Sequence, residues 1–339
     1  PVMAEHRGYV GKTSGDLAKD VRAAMEAVRW TERVEVGSTV FVKPNLTFYE
    51  HRPGVTTTPE VLRELLIILK GRAGRVIVGE SDGGNHSFTA DQAFMGHGMP
   101  QMCSELGVEL VNLSRLPSQD VEENIQGIKV KVQLPRLLLE EVDCFVSLPV
   151  LKVHAMTHVT LSMKNLWGCH PDTMRGLHHS NLSHKLTLIT KKLQPKLVLI
   201  DGIYALDNHG PMYGTPVRAD LLLAANNPVV ADALGTAIMG MDLQKAKHIL
   251  VAEREGLGTT DLNRVELNPG WENYRIQCHV RRTLVDNLST LLFKSDLMAK
   301  LVMDSPLKPM IYGIAGRFRN KDEQKVVGEI EAQKCEFSK

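Results

Sequence analysis

The sequence predicts an α/β protein: a doubly wound, mostly parallel sheet with helices on both faces, followed by a helical C-terminal extension. Three observations carry this. Short runs rich in β-branched residues ("STVFVKPNL", "RVIVGES", "VELVNL") alternate with stretches of helical periodicity. Polar residues gather where those runs end. The chain is 43% hydrophobic and 23% charged over 339 residues, enough apolar material for a sizeable core and roughly two domains of about 150 residues.

Residues 15–29 place Leu17, Val21, Ala24, Met25 and Val28 at helical spacing. "STVFVKPNL" is a buried strand ending in Lys43-Pro44-Asn45. In "TTTPEVLRELLIILKG", Thr58 suits the N-cap, Pro59 the first helical position and Gly71 the C-cap. "RVIVGES" ends at Asp82-Gly83-Gly84, and a helical stretch leads to Gly107 and the strand "VELVNL". Residues 118–134 read as a polar, hairpin-like insertion. "VDCFVSLPVLK" is the next buried strand, followed by a helix over 182–194 and the strand "KLVLIDGIYAL". "ADLLLAANNPVVADALGTAIMG" reads as strand, turn and helix, with Asn227 as N-cap, Pro228 at the first position and Asp232 in the first turn. A further helix covers 243–256. The glycine and proline density of "DGIYALDNHGPMYGTP" places Asp201 and Asp207 in a loop.

Residues 1–275 form the α/β domain, which divides into sub-lobes of about 1–145 and 146–275 sharing a cleft; 276–339 form the extension. Its apolar positions Leu284, Leu288, Leu291, Leu292, Leu297, Met298, Leu301 and Val302 suit a packing helix better than a membrane anchor. The region 284–319 is therefore a surface for a partner protein or a second copy.

Several classes are disfavoured. A net charge of +1 gives no reason to expect nucleic acid. The five cysteines (Cys103, Cys144, Cys169, Cys278, Cys335) contain no C-x-x-C pair, which argues against a disulfide framework, a zinc ribbon or an iron–sulfur cluster. No run of eighteen apolar residues and no signal pattern is present, so the expectation is a cytoplasmic protein with reduced thiols. "GYVGKTSGD" lacks the first glycine of a phosphate loop, its place being taken by His6. "GESDGG" lacks dinucleotide-binding spacing, so no NAD site is expected.

Ligands of open α/β sheets sit at the carboxyl ends of strands. There the sequence sets Lys43 and Asn45, Asp82, Lys152 with His154, and Asp201. "TTTPEV" adds Thr57 at a helix N-terminus, where backbone N–H groups attract anions. "LPVLKVHAMTHVTLSMKNLWGCHP" adds Lys164 and Asn165. A lysine in a poorly solvated cleft has a lowered pKa, and a histidine moves protons near neutrality. His154 and Lys164 are thus the acid–base candidates. Lys43, Asn45, Thr57, Asp82, Lys152, Asn165 and Asp201 are the candidates for holding a small polar or anionic substrate. His178, His179 and His184 are the ligands if a divalent metal is bound, although no H-E-x-x-H signature is present. Two readings follow: an isomerase- or epimerase-like enzyme, or a non-catalytic ligand-binding or accessory protein using the same cleft.

"VFVKPNL", "TTTPEV", "LPVLKVH", "VTLSMKNLWGC", "IDGIYAL…HGPMYGTP", "NNPVVADALGTAIMG" and "REGLGTTDL", in that order, resemble the domain of unknown function family 362 over roughly residues 15–270. Many members carry a ferredoxin-like cysteine cluster. This chain has none, so the resemblance implies no iron–sulfur role. A second resemblance is to the lactate racemase family, in which a lysine anchors a nickel-pincer nucleotide and histidines ligate nickel or act as acid and base. His154, ten residues before Lys164, has a similar spacing, with His178 or His179 following. The glycine-rich turn before that family's lysine is here Leu161-Ser162-Met163. The resemblance implies where a site lies, and no cofactor.

Overall fold

In the computed structural model the described residues are 5–283, with Asn287, Gly328 and Glu329. Both the 284–302 stripe and the 284–319 partner surface lie essentially outside them. Residues 276–283, the described start of the expected extension, are not helical.

The first strand, β1 (Arg7–Lys12), lies in the segment weighed as a phosphate loop. Helix α1 (Leu17–Ala27) follows, capped by Asp16, which accepts from the Lys19 N–H. Then come β2 (Thr39–Pro44), α2 (Pro59–Lys70), β3 (Arg75–Glu80), α3 (Ala90–Gly96), α4 (Met99–Leu106) and β4 (Glu109–Asn112). The polar insertion is an antiparallel hairpin of β5 (Ser118–Ile125) and β6 (Ile128–Pro135), followed by α5 (Arg136–Glu140). Pro149 lies between β7 (Cys144–Leu148) and β8 (Val150–His154), so the single strand expected there is two. Its missing N–H cannot continue a ladder. β9 (His158–Thr160) turns back antiparallel on β8 and leads into the four-residue helix α6 (Ser162–Asn165). α7 (Leu182–Leu193), β10 (Leu197–Asp207), β11 (Thr215–Ala225), α8 (Pro228–Ile238), α9 (Lys247–Arg254) and β12 (Glu266–Leu267) complete the chain. Asp201 and Asp207 thus belong to a strand and not to a loop. β10 and β11 pair antiparallel as far as Asp207 and Thr215, so the glycines and prolines shape only the connection.

The large sheet runs β12-β1-β11-β10-β7-β2-β3-β4, with β8 pairing in parallel with β10 on the edge that β7 occupies, and β9 on β8. From β10 to β4 every neighbour is parallel; β11 is antiparallel to both β10 and β1. Alternation within strands sorts the cores. Val40 and Val42 of β2 pack with α1 and α2 on one face, whereas Phe41 packs with Phe145 and with Leu182 and Leu186 of α7 on the other. A third cluster joins β10 and β11 to α8 and α9. Among the described residues, no helix is long and apolar enough to cross a membrane.

One topological fact positions the site. From β2 the chain builds outward to β3 and β4, then returns to lay β7 on the other side of β2. β2 and β7 are parallel neighbours, with Lys43 opposite Ser147 and Pro44 opposite Leu148. Their carboxyl ends form the switch point at which open α/β sheets leave a crevice.

Candidate functional site

The switch point is filled by polar side chains bonded to one another. Lys43, with no exposed surface, donates to the Pro44 carbonyl (2.8 Å) and ion-pairs with Glu80. Glu80 is held in turn by the Leu46 and Ser81 N–H groups. Asn45 donates from Nδ2 to Asn165 Oδ1 (3.2 Å), and Asn165 donates to the Lys43 carbonyl (3.0 Å) and to Ser147 Oγ (3.3 Å). Thr57 Oγ1 accepts from the Asn45 N–H and donates to the Leu148 carbonyl. Lys152, also without exposed surface, donates to Asn45 Oδ1 (2.9 Å), Thr47 Oγ1 (2.7 Å) and the Val55 carbonyl (2.7 Å). The structure thus brings Lys43, Asn45, Thr57, Lys152 and Asn165 together. Their bonding capacity goes into joining β2, the 45–57 loop, β8 and α6, which makes them a scaffold.

The helix N-terminus expected to attract an anion already holds one from this chain. Asp201 Oδ2 accepts from the Thr58 N–H at 2.7 Å, while Oδ1 accepts from the Ile203 N–H. Thr58 itself makes no side-chain cap bond. Asp82 Oδ1 accepts from the Ala90 N–H (2.7 Å), in the first turn of α3 behind its Thr89 cap, and from Asn112 Nδ2 (2.9 Å).

Lys164 is different. α6 is pinned on both flanks: Asn165 is tied to β2 as above, and Asp232 accepts the Ser162 and Met163 N–H groups at 2.6 and 3.0 Å. Met163 is buried. Between these anchors Lys164, partly buried, has no hydrogen-bond or ion-pair partner among the described residues. Burial, then the Arg175 charge, lowers its pKa to about 8. His154, at the end of β8, accepts the Met156 N–H on Nδ1 at 3.0 Å. Burial, then the charge of Lys164, holds its pKa well below the ordinary histidine value. The ring is therefore neutral, and with Nδ1 accepting, its proton sits on Nε2.

The three expected metal ligands do not converge. His178 Nε2 bonds Asp172 (2.8 Å) and its ring stacks on His170. His179 stacks on Trp167, and burial takes its pKa to about 3. His184, in the first turn of α7, feels Arg254 and Glu255 instead. Among the described residues no group of three or more His, Cys, Asp or Glu is placed to hold a metal. This donor set does not fit a nickel-pincer centre.

Three contributors escaped the sequence reading. Asp232 sits one turn deeper in α8 than expected, fully buried, with its pKa raised by burial to about 8. His248 in α9 is 1% exposed, its Nε2 lies 4.0 Å from Asp232 Oδ2, and burial followed by the Lys164 charge lowers its pKa to about 3. Arg175 donates to the His170 and Asp82 carbonyls and lends its charge to the Lys164 environment. The lone histidine and arginine carried no motif. Asp232 was visible in the sequence, but its partner lies 70 residues away.

Fold and site define a mostly parallel α/β protein whose polar centre lies at a sheet switch point. The chain belongs to the family described as Domain of unknown function (DUF362), whose model matches residues 40–237. It is similar to the thylakoid-associated protein sll1697 of Synechocystis sp. (strain ATCC 27184 / PCC 6803 / Kazusa), with 26% identity over 258 residues, covering 73% of this chain and 77% of that protein. A crystal structure of a Thermotoga maritima protein aligns with a TM-score of 0.33 and 10% identity, covering 56% of this chain and half (50%) of that one. A score so low carries no weight here.

Proposed function

We propose that the protein is an acid–base enzyme of isomerase or epimerase type, acting on a small polar or anionic substrate. The observation that carries this is Lys164: a partly buried lysine of lowered pKa that has no acceptor among the described residues. A pKa of about 8 lies close to neutrality, which suits a group that both gives and takes a proton. Neutral His154 contributes an Nε2–H that polarises a substrate oxygen. Lys43, Asn45, Thr57, Lys152 and Asn165 hold the floor on which these two stand. Asp82 and Asp201 fix the helices around it.

A second reading, a non-catalytic binding or accessory protein, is favoured by the closed bonding of Lys43, Asn45 and Lys152, which leaves few groups for substrate. Solvent isotope exchange separates the two. The protein is incubated in D2O with a panel of 2-hydroxy acids, sugar phosphates and amino acids, and deuterium at carbon is read by NMR. The enzyme reading expects exchange in one chemical class, lost in Lys164→Met and retained in a surface variant such as Lys129→Met. Binding of a panel member without exchange supports the accessory reading and overturns the catalytic one.

A further inference from the structure

We infer that His248 is a ligand-contacting residue of the Lys164 site, and that the ligand is an oxyanion, a carboxylate or a phosphate group, received by donors from α6, β8 and α9. This names the ligand class for the proposed function and rests on Lys164 being a desolvated, ligand-facing lysine.

His248 has both ring nitrogens buried and neither bonded among the described residues. An imidazole left this way in the interior is destabilising, because its desolvated polar atoms gain no partner. Nothing in the fold requires that cost. Ile249, Val251 and Ala252 supply the buried apolar surface of α9. Asp232 does not satisfy the ring, because its Oδ2 lies 4.0 Å from Nε2, beyond hydrogen-bond range. A polar ring kept at this position without a partner is explained by one that arrives with a ligand.

The neighbouring groups identify that ligand. Ser162, on the same short helix as Lys164, has its hydroxyl fully buried and unbonded. His154 offers Nε2–H. Lys164 offers an ammonium. All are donors, or can serve as donors. The carboxylates around them are engaged: Asp232 and Asp201 by backbone N–H groups, Asp82 by Ala90 and Asn112, and Glu80 by Lys43. Among the described residues, moreover, Lys152, Lys164 and Arg175 have no carboxylate within ion-pair distance. Unmatched donors and unmatched positive charge both call for an acceptor-rich anion.

The test uses the full chain, labelled with [13C]lysine and [15N]histidine. Lys164 and His248 resonances are assigned by their loss in Lys164→Met and His248→Gln. Sodium phosphate, sodium acetate and the neutral probe glycerol are titrated at constant ionic strength. One or both anions are expected to raise the Lys164 pKa by roughly one pH unit, and to shift the His248 ring nitrogens with the same saturation curve. Glycerol should move neither. The anion that saturates first distinguishes phosphate from carboxylate. His248→Gln should weaken anion binding roughly tenfold, as expected for loss of one charge-assisted hydrogen bond. If neither anion moves Lys164, the oxyanion assignment falls. Should Lys164 respond while the wild-type His248 nitrogens stay fixed, His248 is no ligand contact, whatever the stability of the variant. A Lys164 that titrates near 10.5 without ligand removes the desolvated lysine, and the proposed function with it, which is a separate result.

Discussion

Asp232, in the middle of α8, accepts the backbone N–H of Ser162 at 2.6 Å and so fixes the N-terminus of the helix that carries Lys164. A core helix thereby sets the position of a residue two places along a short, otherwise weakly determined turn. Removing the carboxylate leaves the Ser162 and Met163 N–H groups buried without an acceptor. Asp232→Ala is expected to cost about 2–6 kcal/mol, at roughly 1–3 kcal/mol for each stranded group. Asp232→Asn, which keeps one carbonyl acceptor, should cost about half as much. Urea unfolding midpoints at unchanged m-value measure both.

Lys164 is expected to reduce stability at neutral pH. Its folded pKa of about 8 lies below the ordinary 10.5, so between these values the unfolded chain binds more protons and stability rises with pH. Below pH 8 the charged form carries a penalty on the order of 2–3 kcal/mol. Lys164→Met should therefore be more stable than wild type at pH 7, and the difference should close by pH 10.5. A variant less stable at pH 7 would contradict the unpaired, desolvated lysine.

Acid should weaken the fold through its histidines. His179 and His248 have folded pKa values of about 3 against the usual 6.5, so the folded state declines protons that the unfolded state accepts. Stability falls as pH drops from 6.5 towards 3, at about 1.4 kcal/mol per pH unit for each such histidine. Asp232 works in the opposite sense between 3.8 and about 8, because its raised pKa favours the protonated folded state. Urea titrations at pH 6, 5 and 4.5 should show a net acid loss, and His248→Gln should flatten the slope by about 1.4 kcal/mol per pH unit.

The Lys43–Glu80 pair is buried on both sides, and Gly168 closes over it. A Cβ at residue 168 would stand 2.5 Å from Glu80 Oε1 and 3.0 Å from Lys43 Nζ. Glu80→Gln is expected to cost about 3–5 kcal/mol by leaving a buried ammonium unpaired. Lys43→Met combined with Glu80→Gln should recover most of that loss. Gly168→Ala should destabilise by displacing the pair. Thermal unfolding of the three variants would reveal a failure if the double variant were no better than Glu80→Gln alone.

Much of the fold was legible in the sequence because the strand and helix periodicities are strong. β2, β3, β4, α2, α7 and α8 fall where the pattern predicts, and the position of Lys164 was marked by its polar neighbours. What was not legible depends on partners distant in sequence. Asp201 read as a loop residue, yet it serves a helix whose Thr58 is 143 residues earlier. The Asn45–Asn165 bond spans 120 residues, so the sequence could not show that these amides bind each other. Lys43 and Lys152 looked like anion holders because charge can be read from sequence, whereas the acceptors that consume it cannot. His248 stood in an ordinary amphipathic helix, and only its burial without partners separates it from a packing residue.

The return of the chain to lay β7 beside β2 also governs when the site comes into being. During synthesis Lys43 and Asn45 emerge early, Lys164 more than a hundred residues later, and Asp232 and His248 later still. No local segment holds the centre in advance, and contacts of such long separation form slowly. Ligand binding at the proposed site would therefore report completed folding of residues 43–248, and a fragment ending before α9 would lack His248 however well its first strands paired.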